Sequence, residues 1–303
     1  MTVLPDESTP PTTSVSTDFL ALTEKPIKRR PRIGQIIGMI VVAYFIFVGI
    51  VIVLTNENFN WPIVAQYLFD VRIFGGVGVM LQLTLYSMII GFVLGLLLAV
   101  MRMSPNWLIR GVAGAYVWFF RGTPLLVQLL FWGFAGALFP QLMIGIPFVD
   151  PWISLDTNLV ISLFTAAVLG LGLNEAAYMA EIVRGGILAV PHGQAEASRA
   201  LGFSTGSTLR HVVLPQAMKV IIPPVGNNVI SMLKTTSLVS VIGVSDLLYN
   251  AQQIYARNLE QIPLLIVTCF WYILFTTILT YFQSLLEKRF SRGSSAAVQK
   301  GAR

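Results

Sequence analysis

Polar side chains recur at helical spacing within three apolar stretches of the chain. Within each set the members are separated by three, four or seven residues, which places them on one face of a helix. The sets are Asn174, Tyr178 and Glu181; Asn227, Ser231 and Lys234; and Arg121 with Gln128. Together they hold a carboxylate, an ammonium and a guanidinium, and ionisable groups inside a membrane usually face a cavity or a partner. We therefore predict that they line the path of a zwitterionic solute with a polar side chain.

Other roles for these residues stay open at this point. Arg121 and Glu181 could pair with each other or lie at the cytoplasmic boundary, and Asn and Ser side chains also hold membrane helices together. Catalysis has little support, because the stretch 202–206 resembles a nucleophile elbow only faintly and lacks a matched histidine. One Cys and two His do not make a metal site. We expect no catalytic residue and no metal.

The composition excludes a soluble enzyme. Of the 303 residues, 55% are apolar and 11% are charged, whereas an average soluble domain is about 25% charged. A helix needs about 20 apolar residues to cross a bilayer. Six stretches meet this length, at about 34–54, 79–101, 112–139, 159–180, 219–244 and 263–286. We predict an all-α membrane protein with six transmembrane helices, the fifth of which is broken at mid-membrane depth by Pro223-Pro224.

Basic residues are sorted between the two sides of these spans. If the N-terminus is inside, only Arg72 and Arg257 lie outside, and only Arg121 and Lys234 lie within spans. Cytoplasmic loops collect Lys and Arg, so both termini are predicted to be cytoplasmic and the net charge of +6 does not indicate nucleic-acid binding. Four segments follow: a disordered cytoplasmic tail at 1–32, a first transmembrane helix and external loop at 33–74, a transmembrane domain at 75–288, and a basic cytoplasmic tail at 289–303.

The long connection before the fifth span carries a specific pattern. It reads Glu196-Ala197-Ser198-Arg199-Ala200-Leu201-Gly202, then nine residues, then Val212-Val213-Leu214-Pro215. Its small side chains predict a short helix that another protein can approach closely, and Gly202 can end that helix in the left-handed conformation. An ordinary amphipathic connector is the alternative interpretation.

This stretch resembles the EAA loop of ABC importer permeases, E-A-A-x3-G-x9-I-x-L-P, with Ser198 and Val212 as mild departures. Further motifs resemble the permeases for polar amino acids. They are Thr84-Leu85, the stretches 121–128, 178–187 and 214–217, and Lys234-Thr235-Thr236-Ser237-Leu238. The family commonly has Asp where this chain has Thr235, which removes any substrate inference from that acid. The resemblance covers residues from about 74 to 288.

The resemblance implies the membrane subunit of a type I ABC importer, with a five-helix core preceded here by one extra helix. It implies a multi-pass protein of the bacterial inner (cytoplasmic) membrane, in contact with lipid. Expected partners are a second permease subunit, identical or paralogous, an extracytoplasmic solute-binding protein that delivers the amino acid, and a cytoplasmic ATPase dimer. The ATPases would dock on the loop at about 190–216, through Glu196, Ala197, Ala200, Leu201 and Gly202.

The energy source is expected to be external to the chain. A phosphate-binding P-loop requires a Gly-Lys pair, and the sequence has none. ATP and Mg²⁺ are therefore expected at the partner ATPase, with no cofactor bound by this chain. The amino acid stays open among glutamate, glutamine, cystine and basic amino acids. An ion-coupled secondary transporter is the alternative, although such proteins usually show inverted repeats, and none is visible in the sequence.

Overall fold

A computed structural model describes residues 33–144 and 151–291 of the chain. The disordered tail predicted at 1–32 lies outside the described residues, as does most of the basic tail predicted at 289–303. The chain separates into two units, one ending at Glu57 and one beginning at Asn58, and each is described by itself.

The described part of the first unit is dominated by helix α1, Ile33–Thr55. None of its 23 residues is charged and none is buried. A helix that is apolar on every side is suited to a lipid environment. It is long and apolar enough to cross a membrane, as the sequence predicts for 34–54.

The second unit contains helices of very different lengths and one small sheet. After a 3₁₀ turn at Glu57–Phe59, its elements are α2 (Trp61–Leu68), α3 (Val71–Arg102), α4 (Trp107–Gly122), α5 (Leu125–Gly133), α6 (Ala135–Leu138), β1 (Gln141–Ile144), β2 (Ile153–Asp156), α7 (Thr157–Val160), α8 (Leu163–Leu188), α9 (His192–Ala200), α10 (Thr205–Thr208), a π-helical turn (Leu209–Val213), α11 (Leu214–Thr235), a 3₁₀ segment (Thr236–Ile242), α12 (Leu247–Asn258) and α13 (Gln261–Ser291). Strands β1 and β2 pair antiparallel, with Gln141 opposite Asp156 and Ile144 opposite Ile153.

Helices α3 and α8 form the most extensive helix contact of the unit. Their approach is close because glycines face the partner helix. A Cβ atom on Gly95 would lie 2.6 Å from Cβ of Met179, and one on Gly91 would lie 2.7 Å from Cγ of Glu175. Small residues four apart let membrane helices pack backbone against backbone. Buried Leu83, Leu98 and Leu171 continue this core on either side.

Local sequence explains where these two helices begin. Asp70 caps α3, since its carboxylate accepts a hydrogen bond from the backbone N–H of Arg72 at 2.8 Å. The Arg72 side chain also donates to this carboxylate, which holds the pKa of Asp70 below its usual value. Ser162 caps α8 by accepting from the N–H of Thr165 at 3.2 Å. Such caps satisfy backbone donors that a first helical turn leaves free.

The fold class is confirmed, and the number of continuous spans differs from the prediction of six. Among the described residues, α1, α3, α8 and α13 are long and apolar enough to cross a membrane, and 205–242 with α12 adds a fifth as a pair bent by 47°. The predicted span 112–139 is not one helix, because it is divided among α4, α5 and α6. Thr123 is extended, with φ −113° and ψ 143°, since a residue before proline avoids the helical region.

The predicted break at Pro223-Pro224 is wrong. Both prolines lie inside α11, which continues from Leu214 to Thr235. They deprive the carbonyls four residues earlier of their N–H partners, but helical order persists through them. The α-helix instead gives way to a 3₁₀ segment at Thr236, which ends at Gly243 with φ +84°.

Packing of α3 against α8 leads to a first prediction. Gly95→Val should destabilise the purified protein in detergent by about 1–3 kcal/mol, because the new side chain has no room beside Met179 and overpacking costs this much. Thermal unfolding measures the effect. The matched control is Gly78→Val in the same helix, where a Cβ atom would meet nothing within 4 Å. Equal melting temperatures for the two variants would contradict the assigned packing.

Candidate functional site

A cavity of about 320 Å³ opens among α5, α8 and α11. The broken span at Thr123-Pro124 supplies one wall, because it allows α5 to start in a new direction. Polar side chains from two long helices supply most of the rest. The lining residues are Leu125, Asn174, Glu175, Tyr178, Asn228, Ser231, Met232 and Thr235. The structure therefore brings together three of the predicted solute residues, Asn174, Tyr178 and Ser231.

Glu175 is the one carboxylate among the residues that line this cavity. Its side chain is 7% exposed, and its Oε1 atom accepts a hydrogen bond from Nδ2 of Asn228 at 2.7 Å. Within the described residues it forms no ion pair with any lysine or arginine. A buried carboxylate with one neutral donor can accept further donors from a ligand, and a cation most of all.

Asn174 and Gln128 hold the broken span together. Nε2 of Gln128 donates to the carbonyl of Phe120 at 3.0 Å and to Oγ1 of Thr123 at 2.7 Å. Nδ2 of Asn174 donates to the same Phe120 carbonyl at 2.9 Å and to Oε1 of Gln128 at 3.1 Å. These bonds satisfy backbone groups at the break, as irregular backbone in a membrane requires. Gln128 therefore supports the cavity wall from behind, and Asn174 also reaches the cavity.

Arg121 meets the cavity only through an aromatic ring. Its guanidinium carbon lies 5.4 Å from the ring centroid of Tyr178, a cation–π distance, and both residues are exposed. Tyr178 lines the cavity and Arg121 does not. Arg121 therefore stands at the rim, where it contributes positive charge beside the opening.

Glu181 lies outside the cavity and forms ion pairs instead. Its Oε1 atom is 3.1 Å from Nη2 of Arg102, and its Oε2 atom is 2.7 Å from Nη2 of Arg184. The alternative pairing of Glu181 with Arg121 is not found, since both carboxylate oxygens are engaged by these two arginines. Arg102 ends α3 and also lies against Gly114 of α4. Glu181 thus ties together the ends of α3 and α8.

The predicted set of Asn227, Ser231 and Lys234 reaches the cavity only through Ser231. In α11 the cavity is lined by Asn228, Ser231 and Thr235, whereas Asn227 accepts a hydrogen bond from Gln283 of α13 at 3.0 Å. Lys234 is exposed and is not among the lining residues. Sequence reasoning missed Glu175, Asn228 and Thr235 as site residues. A carboxylate amid an apolar stretch was the signal that pointed to Glu175.

Helix α9 has the shape that the sequence predicts for a docking element. Gly202 is left-handed with φ +84°, which confirms the prediction for this residue. The N–H of Phe203 donates to the carbonyl of Ser198 at 3.2 Å, and the N–H of Gly202 donates to that of Arg199 at 2.9 Å. This pair of bonds is a Schellman motif.

The outer surface of α9 is exposed. The predicted docking residues Glu196, Ala197, Ala200 and Leu201 are all exposed, Leu201 to 79%. Ser198 is buried, and its hydroxyl lies 3.0 Å from that of Thr208. The departure from alanine at Ser198 therefore adds a hydrogen bond that fixes α9 against α10.

Comparison with known proteins identifies the family. Residues 91–292 match the family described as the binding-protein-dependent transport system inner membrane component. The chain belongs to this family. The arginine transport system permease protein ArgU of Corynebacterium glutamicum is 48% identical over 274 residues, which cover 89% of this chain and 85% of ArgU. The L-cystine transport system permease protein TcyB of Bacillus subtilis is 39% identical, covering 79% of this chain and 91% of TcyB.

A solved structure supports the same assignment. The crystal structure of an amino acid ABC transporter with histidines shares 38% identity and a TM-score of 0.62, covering 72% of this chain and 94% of that chain. The resemblance inferred from the motifs is confirmed. The chain is a multi-pass inner-membrane permease subunit of the ABC importer type, and subunits of this family are not the catalytic ones.

Proposed function

We propose that the permease carries polar amino acids with a cationic side chain, and that the cavity among α5, α8 and α11 receives them. The observation that carries the proposal is Glu175, a buried carboxylate with no cationic partner among the described residues. A cation fits this site because desolvation of a lone carboxylate is costly unless a charge or hydrogen bonds compensate it. The relative named for arginine transport supports this substrate class.

The rest of the cavity suits the other end of an amino acid. Tyr178, Ser231 and Thr235 present hydroxyl groups, and Asn228 is already oriented toward Glu175. Hydroxyls can donate to a substrate carboxylate, and Arg121 at the rim adds a positive charge beside Tyr178. Opposite ends of a zwitterion would thus find opposite partners. Lys234 and Asn227, predicted as solute contacts, have no part in this arrangement.

Transport is proposed to be driven by a cytoplasmic ATPase dimer that docks on α9 through Glu196, Ala197, Ala200, Leu201 and Gly202. Exposure of this helix and its fixed end support the proposal. ATP and Mg²⁺ would be bound by the ATPases, and the sequence contains no P-loop of its own. A second permease subunit and an extracytoplasmic solute-binding protein would complete the importer, with both termini of this chain in the cytoplasm.

Uptake into proteoliposomes tests the energy source. The complete importer with its binding protein should accumulate arginine only when ATP is supplied on the ATPase side, because the docked ATPases are the proposed energy source. Uptake is measured with radiolabelled arginine, with an ion gradient alone as the comparison. Accumulation on the gradient in the absence of ATPase subunits would favour the secondary-transporter alternative.

Glu175→Gln tests the cavity. The change keeps the shape and removes the charge, so arginine uptake should fall about tenfold or more, since a lost charge-assisted hydrogen bond is worth about 1.5–3 kcal/mol. The control Glu57→Gln removes an exposed carboxylate elsewhere in the chain and should leave uptake unchanged. Binding of arginine to the solute-binding protein is measured in parallel. Unchanged uptake by Glu175→Gln in an assembled importer would remove Glu175 from the substrate path.

Glu196→Ala tests the docking helix. Loss of an exposed charged contact should reduce the amount of ATPase that co-purifies with the permease by about tenfold, on the same estimate for charged hydrogen bonds. The variant should still insert into the membrane, because Glu196 is exposed and forms no ion pair with a lysine or arginine among the described residues. Glu57→Ala is the control. Normal co-purification with Glu196→Ala would show that the ATPase docks elsewhere.

A further inference from the structure

A second polar cleft lies between α11 and α13, away from the solute cavity. Its volume is about 320 Å³. Lys219 and Lys288 contribute two ammonium groups, Ser284 contributes a hydroxyl, and Ile222 and Phe290 contribute apolar surface. The one carboxylate that lines it, Glu287, accepts a hydrogen bond from Nε2 of Gln283 at 2.8 Å. Lysines therefore outnumber carboxylates among the residues that line the cleft.

The cleft lies where two helices leave the apolar part of the membrane. In α13 the residues from 263 to 286 carry no charge, and Glu287 and Lys288 are the first charged residues after them. Lys219 likewise stands at the start of the apolar part of α11. Lysines at this level meet phospholipid head groups, and basic pockets between transmembrane helices bind the anionic ones.

A shallow, open groove on one face of α13 lies beside the cleft and extends toward the middle of that helix. It has a volume of about 370 Å³, shares Ser284 with the cleft, and passes Thr276, Thr280 and Tyr281. From residue 288 to residue 276 a helix rises about 18 Å. This distance is comparable to the length of an extended acyl chain.

The surface of this groove is more apolar than its residue types indicate. Oγ1 of Thr280 donates to the carbonyl of Thr276 at 2.7 Å, and Oγ of Ser284 donates to that of Tyr281 at 2.8 Å. With their hydroxyls turned to their own backbone, these side chains present methyl and methylene groups outward. A soluble phosphate would use the cleft alone, whereas a phospholipid would use both cleft and groove.

We propose that the cleft of Lys219 and Lys288 binds the phosphate of an anionic phospholipid whose acyl chain lies in the groove along α13. The two ammonium groups supply the charge that recognises the head group. The groove selects a lipid over free phosphate, and the charge selects an anionic lipid over a zwitterionic one.

Thermal unfolding of the intact importer in detergent tests the proposal. Dioctanoyl phosphatidylglycerol should raise the melting temperature, since a ligand that binds the folded state stabilises it. Glycerol phosphate, which has the phosphate without chains, and dioctanoyl phosphatidylcholine, which has the chains without net charge, should each give a much smaller shift. Native mass spectrometry of the same samples counts the retained lipids.

Variants assign the effect to the cleft. Replacing both lysines, Lys219→Gln with Lys288→Gln, should raise the phosphatidylglycerol concentration at half-saturation about 30-fold. This follows from roughly one kcal/mol for each lysine near the surface. Arg110→Gln with Arg289→Gln is the matched control, because it removes the same charge from exposed residues that do not line the cleft. Each single lysine variant should raise the half-saturating phosphatidylglycerol concentration about fivefold on the same estimate. These single variants keep the test available if the double variant fails to assemble.

Three outcomes would overturn the proposal. Equal half-saturation in the lysine and control variants would place the lipid elsewhere. An equal shift with glycerol phosphate would make the cleft a site for soluble phosphate. The absence of any phosphatidylglycerol effect in the intact importer would show that a second copy or another subunit covers this face of α13.

Discussion

Helices α3 and α8 approach so closely that Gly91 and Gly95 leave no room for a side chain of their own. In a membrane, helices gain little from the hydrophobic effect, and association depends on contact area and on the satisfaction of polar groups. The glycines supply the contact area by letting two backbones meet. They also fix the rotation of α8, because Glu175 and Met179 must lie against them. The direction in which α8 presents its remaining polar residues follows from this one contact.

The break before Pro124 creates the cavity and also the need for polar support around it. Helix α4 ends at Gly122 and α5 begins at Leu125, so backbone groups near the break lose their helical partners. Gln128 and Asn174 replace those partners through the carbonyl of Phe120. The same chemistry that suits a solute path, an amide inside a membrane, is used here to hold a bent chain. Residue type alone does not distinguish the two uses, whereas burial and hydrogen-bond partners do.

These contacts explain what could be predicted from the sequence. Apolar length predicted the membrane class, and the spacing from Glu196 to Gly202 predicted a short helix with a left-handed end, because both features are local. Helical spacing also showed which polar residues share a face, but it could not show which face turns inward. In α11 the face that lines the cavity shares Ser231 with the predicted face but has Asn228 and Thr235 in place of Asn227 and Lys234. Gly226 packs against Gln283 of α13, and Asn227 accepts a hydrogen bond from the same side chain. The prolines Pro223 and Pro224 predicted a break, whereas α11 continues through them.

Helix α8 connects the cavity to the proposed docking helix α9. It carries Glu175 in the cavity wall, its last residue is Leu188, and α9 begins at His192. Near that end Glu181 holds Arg102, so α3 is attached to α8 both at the glycines and at this ion pair. On its other side α8 meets α11, where Gly186 lies against Ile221 and Asn228 donates to Glu175. A displacement of α9 that is transmitted to α8 would move α3 as well and would alter the contact between α8 and α11. The hydrogen bond between Asn228 and Glu175 crosses this contact inside the cavity, so a movement along it would change the partner of the one carboxylate that lines the cavity.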